Sequence, residues 1–385
     1  MIVIVTVDMI VFFDIQKYII EFPLVKFQLY GCETSNIYKQ RNYNEYKYWL
    51  CTLRKLMISV VLIPGASAPA GINAIKSLKI ANFKGKIVAT DSSPLSAGFF
   101  MADSVEEIPE AENDFFMDKL FETIKKHNVD VLLPTSGFDI YPYSENRKKL
   151  AEIGAQAVVS DRESLEICRD KMLTFETLSN NFEYPFTTMQ PDKIRAFPII
   201  GKPRFGKGSR NVIKIEDELD LRYVTSKFND MIFQEFLPGK EYTIDVLSDM
   251  NKEPIMAVPR LRIQTKAGVS TKGRIVNDPN TERECMNIAK HVGIRGPCCI
   301  QMKESAEGVL KVIEINPRFG GGTIFTTLAG ANFPAMIIDM MNGKDIIKPT
   351  VSEITVIRYF EEIVVKSAER NYSGTNLLSK SGYPE

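Results

Sequence analysis

Histidine is almost absent from this 385-residue chain, with His127 and His291 as the whole supply. Histidine-built metal centres and catalytic triads therefore have little to work with, and each histidine is expected to be structural or at the surface. Cysteine is also sparse. Cys32, Cys51, Cys168, Cys285, Cys298 and Cys299 form no CxxC pair, as expected of reduced core thiols in a cytoplasmic protein. No apolar run approaches the length of a membrane span, so no membrane partner is expected. Neither sign of charge is in excess, with 48 Lys plus Arg against 48 Asp plus Glu. That balance argues against a general nucleic-acid binder but leaves room for a local basic cleft. What remains is an ordinary globular composition, long enough for about two or three packed domains.

Residues 1–56 lack alanine and hold a single glycine, yet carry eleven aromatic residues, including the only tryptophan, Trp49. The apolar opening "MIVIVTVDMIVFF" is interrupted by Asp8, and no small-residue cleavage site follows. Two readings compete: an appended segment that packs on the body, or translation from a start upstream of the natural one. The second is preferred. Met57 then opens "MISVVLIPGASAPAG", which reads as the start of a domain.

From there strands and helices alternate. "SVVLIPG" is a short β-branched run of the buried parallel kind, and Ile72, Ile75 and Leu78 give helical spacing over 69–79. "KIVATD", a helix near 114–127, "VDVLLPT", a helix near 143–153 and "AQAVVS" continue the pattern. The alternation predicts a doubly wound parallel sheet over 57–165. Its first turn, "GASAPAG", lacks dinucleotide-fingerprint spacing and reads as a tight strand-to-helix turn; a small substrate in that crevice is the alternative. Beyond it, "SDRESLEICRDKMLTFETLS" reads as one helix capped by Ser160 or Asp161. The remainder mixes strands and helices as an α+β fold does, and 348–385 reads as a closing strand and a tail.

Three clusters carry chemistry. "GKPRFGKGSR" puts Lys202 at a strand end and keeps the following turn free of side chains at Gly206 and Gly208. Its backbone could cradle phosphate, or it could be a basic surface hairpin. In "QEFLPGKE" strand-end backbone groups could meet an adenine edge, and Glu241 could accept from ribose hydroxyls. By itself a plain Pro-Gly hairpin with a solvated Glu is the better explanation. "VIEINPRFGGG" is different. Glu314 and Asn316 are two apart on one strand and share a face. Gln301, on the preceding "CCIQMK" strand, can pair with them through the "SAEG" turn. That makes a patch of oxygen donors suited to Mg²⁺. Pro317 ends the strand, Arg318 adds a cation, and Gly320 to Gly322 are expected to open space for a substrate. Arg260 and Arg262, alternating in "VPRLRIQTKAGVSTKGR", are candidate carboxylate anchors, with a solvated basic face as the alternative.

Taken in order, "RDKMLT", "GKPRFGKGSR", "QEFLPGKEYTIDV", Gln301 and "EINPR" resemble the ATP-grasp superfamily over 57 to about 347. The resemblance is to carbamoyl-phosphate-synthase-like and single-module carboxylate–amine ligases. It implies a Rossmann-like pre-ATP-grasp domain over 57–165 and an ATP-grasp domain over 166–347, with a small glycine-loop lid lobe at about 175–240. It also implies that Lys171 and Lys202 bind ATP phosphates, and that a lid with Gly206, Gly208 and Ser209 closes over them. Main-chain groups of Glu235 and Leu237 would meet adenine, and Glu241 the ribose. Gln301, Glu314 and Asn316 would hold Mg²⁺, with Mn²⁺ as a substitute, and Arg318 would face the transferred phosphoryl group. The implied reaction phosphorylates a carboxylate to an acyl phosphate, which an amine captures; a homodimer is the implied assembly. Two departures stand out: the module occurs once where a carbamoyl phosphate synthase large chain has two, and Lys207 interrupts the glycine loop. Both argue against carbamoyl phosphate synthesis as such. A bicarbonate-using enzyme of that type and a non-catalytic ATP-binding sensor remain the rival expectations.

Overall fold

The computed structural model describes residues 57–206, 208 and 210–365, plus a two-residue antiparallel pairing of Ile2–Val3 (β1) with Phe12–Phe13 (β2). The expectations for the rest of 1–56, for Cys32 and Cys51, for Lys207 and Ser209, and for the tail beyond 365 lie outside the described residues. Residues Met57–Glu385 form one unit, and three sheets make its frame.

The first sheet is parallel, in the order β5-β4-β3-β6-β7. Its strands are β3 (Val60–Ile63), β4 (Lys86–Asp91), β5 (Ser104–Glu107), β6 (Val131–Leu132) and β7 (Gln156–Ala157). β3 sits centrally because Val61, Leu62 and Ile63 bury completely, as a run without polar alternation must. Gly65, at φ +58, turns the chain into α1 (Pro69–Ile80). Gly71 is required there, since a Cβ at this position would lie 2.4 Å from the Gly65 carbonyl oxygen. α2 (Phe116–His127) follows as expected, whereas β5 was not legible because "SVEE" has no apolar alternation. The helix expected near 143–153 is two pieces, α3 (Ile140–Glu145) and α4 (Arg147–Glu152), broken at Asn146. His127 is structural, 2.6 Å from Glu106 in a largely buried pair.

The single helix expected across 160–179 is also two, α5 (Arg162–Arg169) and α6 (Lys171–Leu178). Asp170 divides them. It leaves helical geometry and its side chain caps α6 by accepting from the Met172 and Leu173 N–H groups. Asp161 precedes α5 but does not cap it; its carboxylate is held by Arg147, Lys252 and Arg295.

The second sheet is antiparallel, β10-β9-β11-β8, built from β8 (Thr187–Thr188), β9 (Ile199–Pro203), β10 (Ile213–Ile215) and β11 (Met231–Glu235), with α7 (Glu218–Lys227) against it. The third has the order β16-β15-β12-β13-β14-β17. It holds β12 (Glu241–Ser248), β13 (Pro254–Lys266), β14 (Val269–Ile275), β15 (Gly296–Glu304), β16 (Leu310–Asn316) and β17 (Thr355–Ile357). Among the described residues three further helices follow: α8 (Pro279–Val292), α9 (Thr323–Leu328) and α10 (Phe333–Met341). The Pro-Gly stretch at 238–239 is not a hairpin turn. It carries the chain from β11 in one sheet to β12 in the other.

One buried core runs from α1 and the parallel sheet to β13, α9 and α10. Near it lies a buried ion pair: Arg260 Nη1 donates to Asp245 Oδ2 at 2.8 Å and to the Gly322 carbonyl at 3.0 Å. Thr326 of α9 donates to the same carboxylate oxygen. Asp245→Ala should cost about 3–5 kcal/mol, because it strands a buried guanidinium. Urea unfolding monitored by far-ultraviolet circular dichroism checks this, and an unchanged midpoint would show that the pair is dispensable.

Candidate active site

The large antiparallel sheet carries its functional side chains by register. β15 and β16 pair so that Gln301 lies opposite Glu314, and Cys299 opposite Asn316. The register then slips: Met302 pairs with Val312, so Ile313 is an extra residue on β16. Its carbonyl oxygen lies 3.3 Å from Lys202 Nζ. A bulge in one sheet thereby meets a lysine from the other. Lys202 also donates to Gln234 Oε1 at 2.8 Å, and Gln234 Nε2 to Thr187 Oγ1 at 2.9 Å. The ammonium is thus anchored at 8% exposure. Burial pulls its pKa down to about 8 against the opposing charge of Glu314, and neighbouring Lys171 lowers it further.

Lys171 reaches the same space from the head of α6. Asp170, which starts that helix, is bonded to Arg204 Nε at 2.7 Å just past β9. Lys171 Nζ donates to the Gly206 carbonyl at 3.1 Å, and burial lowers its pKa as well. Among the described residues, no hydrogen bond occupies the side chains of Glu314 or Gln301.

Between the two sheets lies a cavity of about 640 Å³. Lys171, Lys202, Gly206, Gly208, Glu235, Leu237, Glu241, Arg260, Arg262, Gln301, Glu314, Asn316 and Arg318 all line it. Every described residue that the sequence marked as a candidate therefore faces one space, though not always free to act. The Glu235 N–H is spent on Phe186 O at 2.9 Å and so is not free to meet a base. The Glu235 carboxylate is held by Lys311 at 2.9 Å. Glu241 and Arg262, assigned to different ligands from sequence, form an ion pair with each other, and Arg262 Nη2 also donates to Gly268 O at 2.6 Å. Arg260 is balanced by Asp245. Arg318 donates to Phe319 O at 2.7 Å and to Asn316 Oδ1 at 3.3 Å.

The glycine run lines the cavity, and packing beneath it adds a second reason for glycine. A Cβ at Gly322 would lie 2.3 Å from Arg260 Nη2, and one at Gly320 would lie 3.2 Å from Cys299 Sγ. Gly322 is thus required by the packing beneath it and Gly320 is close-packed against Cys299, while both also line the cavity. Sequence reasoning missed Gln234 as the partner of Lys202, Asp245 under Arg260, and Arg358. Arg358, just past β17, donates to Gly321 O and lies 5.1 Å from the Phe325 ring centre. Burial, then neighbouring Arg260, lowers its pKa to about 10. Nothing in its local sequence signalled this.

Among the described residues no three His, Cys, Asp or Glu side chains cluster as a metal cage. One carboxylate and two amides suit a hard cation that completes its shell with phosphate oxygens, so the donor set fits Mg²⁺ but not a thiolate- or imidazole-bound metal.

Residues 227–363 match a family described as ATP-grasp in the biosynthetic pathway with Ter operon, and residues 62–158 match the PylC-like N-terminal domain. The chain is 25% identical over 285 residues to the carbamoyl phosphate synthase large chain of Clostridium botulinum (strain Loch Maree / Type A3), covering 65% of itself but only 25% of that protein. A carbamoyl-phosphate synthase of Methanobrevibacter smithii is 24% identical over 285 residues and is covered to 76%. Among solved structures, the biotin carboxylase domain of Hydrogenobacter thermophilus 2-oxoglutarate carboxylase, in complex with MgADP and bicarbonate, superposes with a TM-score of 0.62 at 15% identity. The match covers 77% of this chain and 73% of that one. Staphylococcus aureus N5-carboxyaminoimidazole synthetase complexed with ADP gives 0.59 at 16% identity, covering 77% and 80%. A parallel-sheet domain leading into two antiparallel sheets is thus a fold shared with these structures, and the ATP-grasp family match lies over residues 227–363 of it.

Proposed function

We propose that this protein is an ATP- and Mg²⁺-dependent ligase that activates a carboxylate as an acyl phosphate and joins it to an amine. The observation that carries the reading is the convergence of Lys171, Lys202 and Glu314 on one cavity, with Gln301 in register across from Glu314. A pure binding module has no need of that set, which weighs against a sensor.

In the reaction, a carboxylate oxygen attacks the γ-phosphorus of ATP, the bond to the bridging oxygen breaks, and ADP departs. The amine lone pair then attacks the acyl carbon, the carbon–oxygen bond to phosphate breaks, and phosphate leaves. Of the two protons an ammonium nitrogen loses, one ends on phosphate and one in solvent. Lys171 and Lys202 offset charge on the phosphates, and anchoring by Gln234 and Ile313 means Lys202 needs little reorganisation as charge shifts. Glu314, Gln301 and Asn316 would hold Mg²⁺, which when bound neutralises phosphate charge. The loop at Gly206 and Gly208 is the lid over the phosphates. Its tip meets the β13–β14 turn, for a Cβ at Gly268 would lie 3.9 Å from Gly208 Cα. Leu237 and the Glu235 carbonyl would meet adenine, and Glu241 the ribose, with Arg262 holding its carboxylate in place. Arg260 and Arg262 are kept as carboxylate-side residues of the cavity.

The names of the relatives favour a second reading, in which bicarbonate is the acceptor. The curated relatives reported above are carbamoyl phosphate synthases, and one structural neighbour was solved with bicarbonate. The chain spans a quarter of the large chains it matches, so their whole activity is not carried over. A homodimer is proposed only by analogy with that neighbour, named as a dimer.

Phosphate release is measured with ATP and Mg²⁺ across pooled carboxylates, with and without pooled amines, and with bicarbonate alone. Amine-dependent release that falls about 10²–10³-fold in Glu314→Ala supports the ligase. Bicarbonate-dependent release without amine moves the reading to the second. Tight ATP binding with no turnover in any arm leaves the sensor.

A pH prediction follows from Lys202. Its pKa is depressed to about 8 from 10.5, so above pH 8 the free protein holds it increasingly neutral, and ATP binding must restore the proton. ATP binding should therefore take up protons between about pH 8 and 10, and affinity should weaken as pH rises through that window. Calorimetry in buffers of different ionisation enthalpy reads the uptake directly; it should vanish in Lys202→Met.

A further inference from the structure

A second cavity, of about 530 Å³, opens at the carboxyl ends of the parallel strands. It lies at the switch point of the strand order, where β3 and β6 are neighbours and their connections leave in opposite directions. Thr135, beyond β6, donates to the Pro64 carbonyl beyond β3 and ties the two strand ends together. The first cavity and this one share a wall at Val269, Gly321 and Arg318.

Their charges are opposite in character. Basic side chains outnumber carboxylates by seven to three around the first cavity. Around the second, Asp91, Glu110, Glu112 and Asp139 face a single base, Arg318. Asp91 is locked in place, with its oxygens accepting from the Ser67 N–H at 2.7 Å and the Ser93 N–H at 3.0 Å. Beside it, Thr90 is 0% exposed and lines the cavity, and its hydroxyl has no hydrogen-bond partner among the described residues. A buried hydroxyl left in this state is costly unless a ligand meets it. Ile108 and Phe116 supply an apolar wall. An anion placed here would meet four carboxyl groups; a cation with an apolar body meets complementary charge and surface.

We propose that this cavity binds the amine co-substrate in its ammonium form, so that the two substrates lie on opposite sides of the Arg318 wall, anions with the lysines and the cation with the acids. This rests on the ligase reading above. The zoning also sets specificity: an amine carrying its own carboxylate near the nitrogen is disfavoured relative to a simple alkyl or aryl amine, because that carboxylate would face Asp91 and Glu110.

The test titrates the full chain with three probes of one shape, benzylamine, benzyl alcohol and benzoate, by saturation-transfer NMR. Benzylamine should bind about 10-fold more tightly than the alcohol, with benzoate weakest, as one favourable or unfavourable charge contact dictates. Glu110→Gln with Glu112→Gln, both solvent-facing positions, should erase most of the discrimination. Thr90→Val should weaken benzylamine binding. ATP affinity and carboxylate-dependent ADP formation are read on the same samples. Benzoate or alcohol binding as well as the amine, or discrimination that survives the double substitution, overturns the inference. ADP formation without amine discrimination overturns it and leaves the ligase standing. Amine discrimination without ADP formation removes the ligase reading and leaves a cation site.

Discussion

The buried Arg260–Asp245 pair is the contact on which the arrangement around the cavity turns. The two residues sit on adjacent strands, and the glycine segment and α9 are fastened to them through Gly322 and Thr326. A buried pair of this kind gains little net stability, since desolvation offsets attraction, but it enforces one geometry because every alternative strands a charge. The satisfaction is incomplete. Asp245 Oδ1 and Arg260 Nε have no partner among the described residues. The glycine at 322 follows from the same pair, since any side chain there would collide with the guanidinium.

Around that fixture the chemistry is divided between sheets. The small sheet contributes Lys202, and α6, which leads into that sheet, contributes Lys171; the large one contributes the oxygen donors. The bulge at Ile313 is where they register against each other. Lys202 is therefore positioned by the Gln234 amide on the neighbouring strand of its own sheet and, from the large sheet, by a carbonyl freed by an irregularity in β16. Its low exposure is what depresses its pKa, with Glu314 opposing and Lys171 adding to the shift.

Much of this was legible in the sequence, for identifiable reasons. β3 and β4 declared themselves through β-branched runs, and the β15–β16 hairpin through the two-residue spacing of Glu314 and Asn316 and a short polar turn. The residues facing the cavity were found because their order along the chain is distinctive. Illegible were features that depend on partners distant in sequence. Asp170 breaks a helical pattern that periodicity alone continues. Glu241 and Arg262 look like separate ligands until the strands pair. The Pro-Gly stretch looks like a hairpin until its two strands enter different sheets. Arg358 and Gln234 have no local signature at all. The glycine run was read as room for a substrate; the arginine packed beneath Gly322 was illegible because it lies 62 residues away in sequence.

Arg358 carries one further consequence. The support under Gly321 is assembled from Asn73 near the start of the parallel-sheet domain and Arg358 beyond the last strand. A ribosome must therefore deliver almost the whole described chain before that support exists. That part of the cavity wall is thus completed late in synthesis, and a nascent chain lacking β17 has Lys171 and Lys202 in hand before it has the support opposite them.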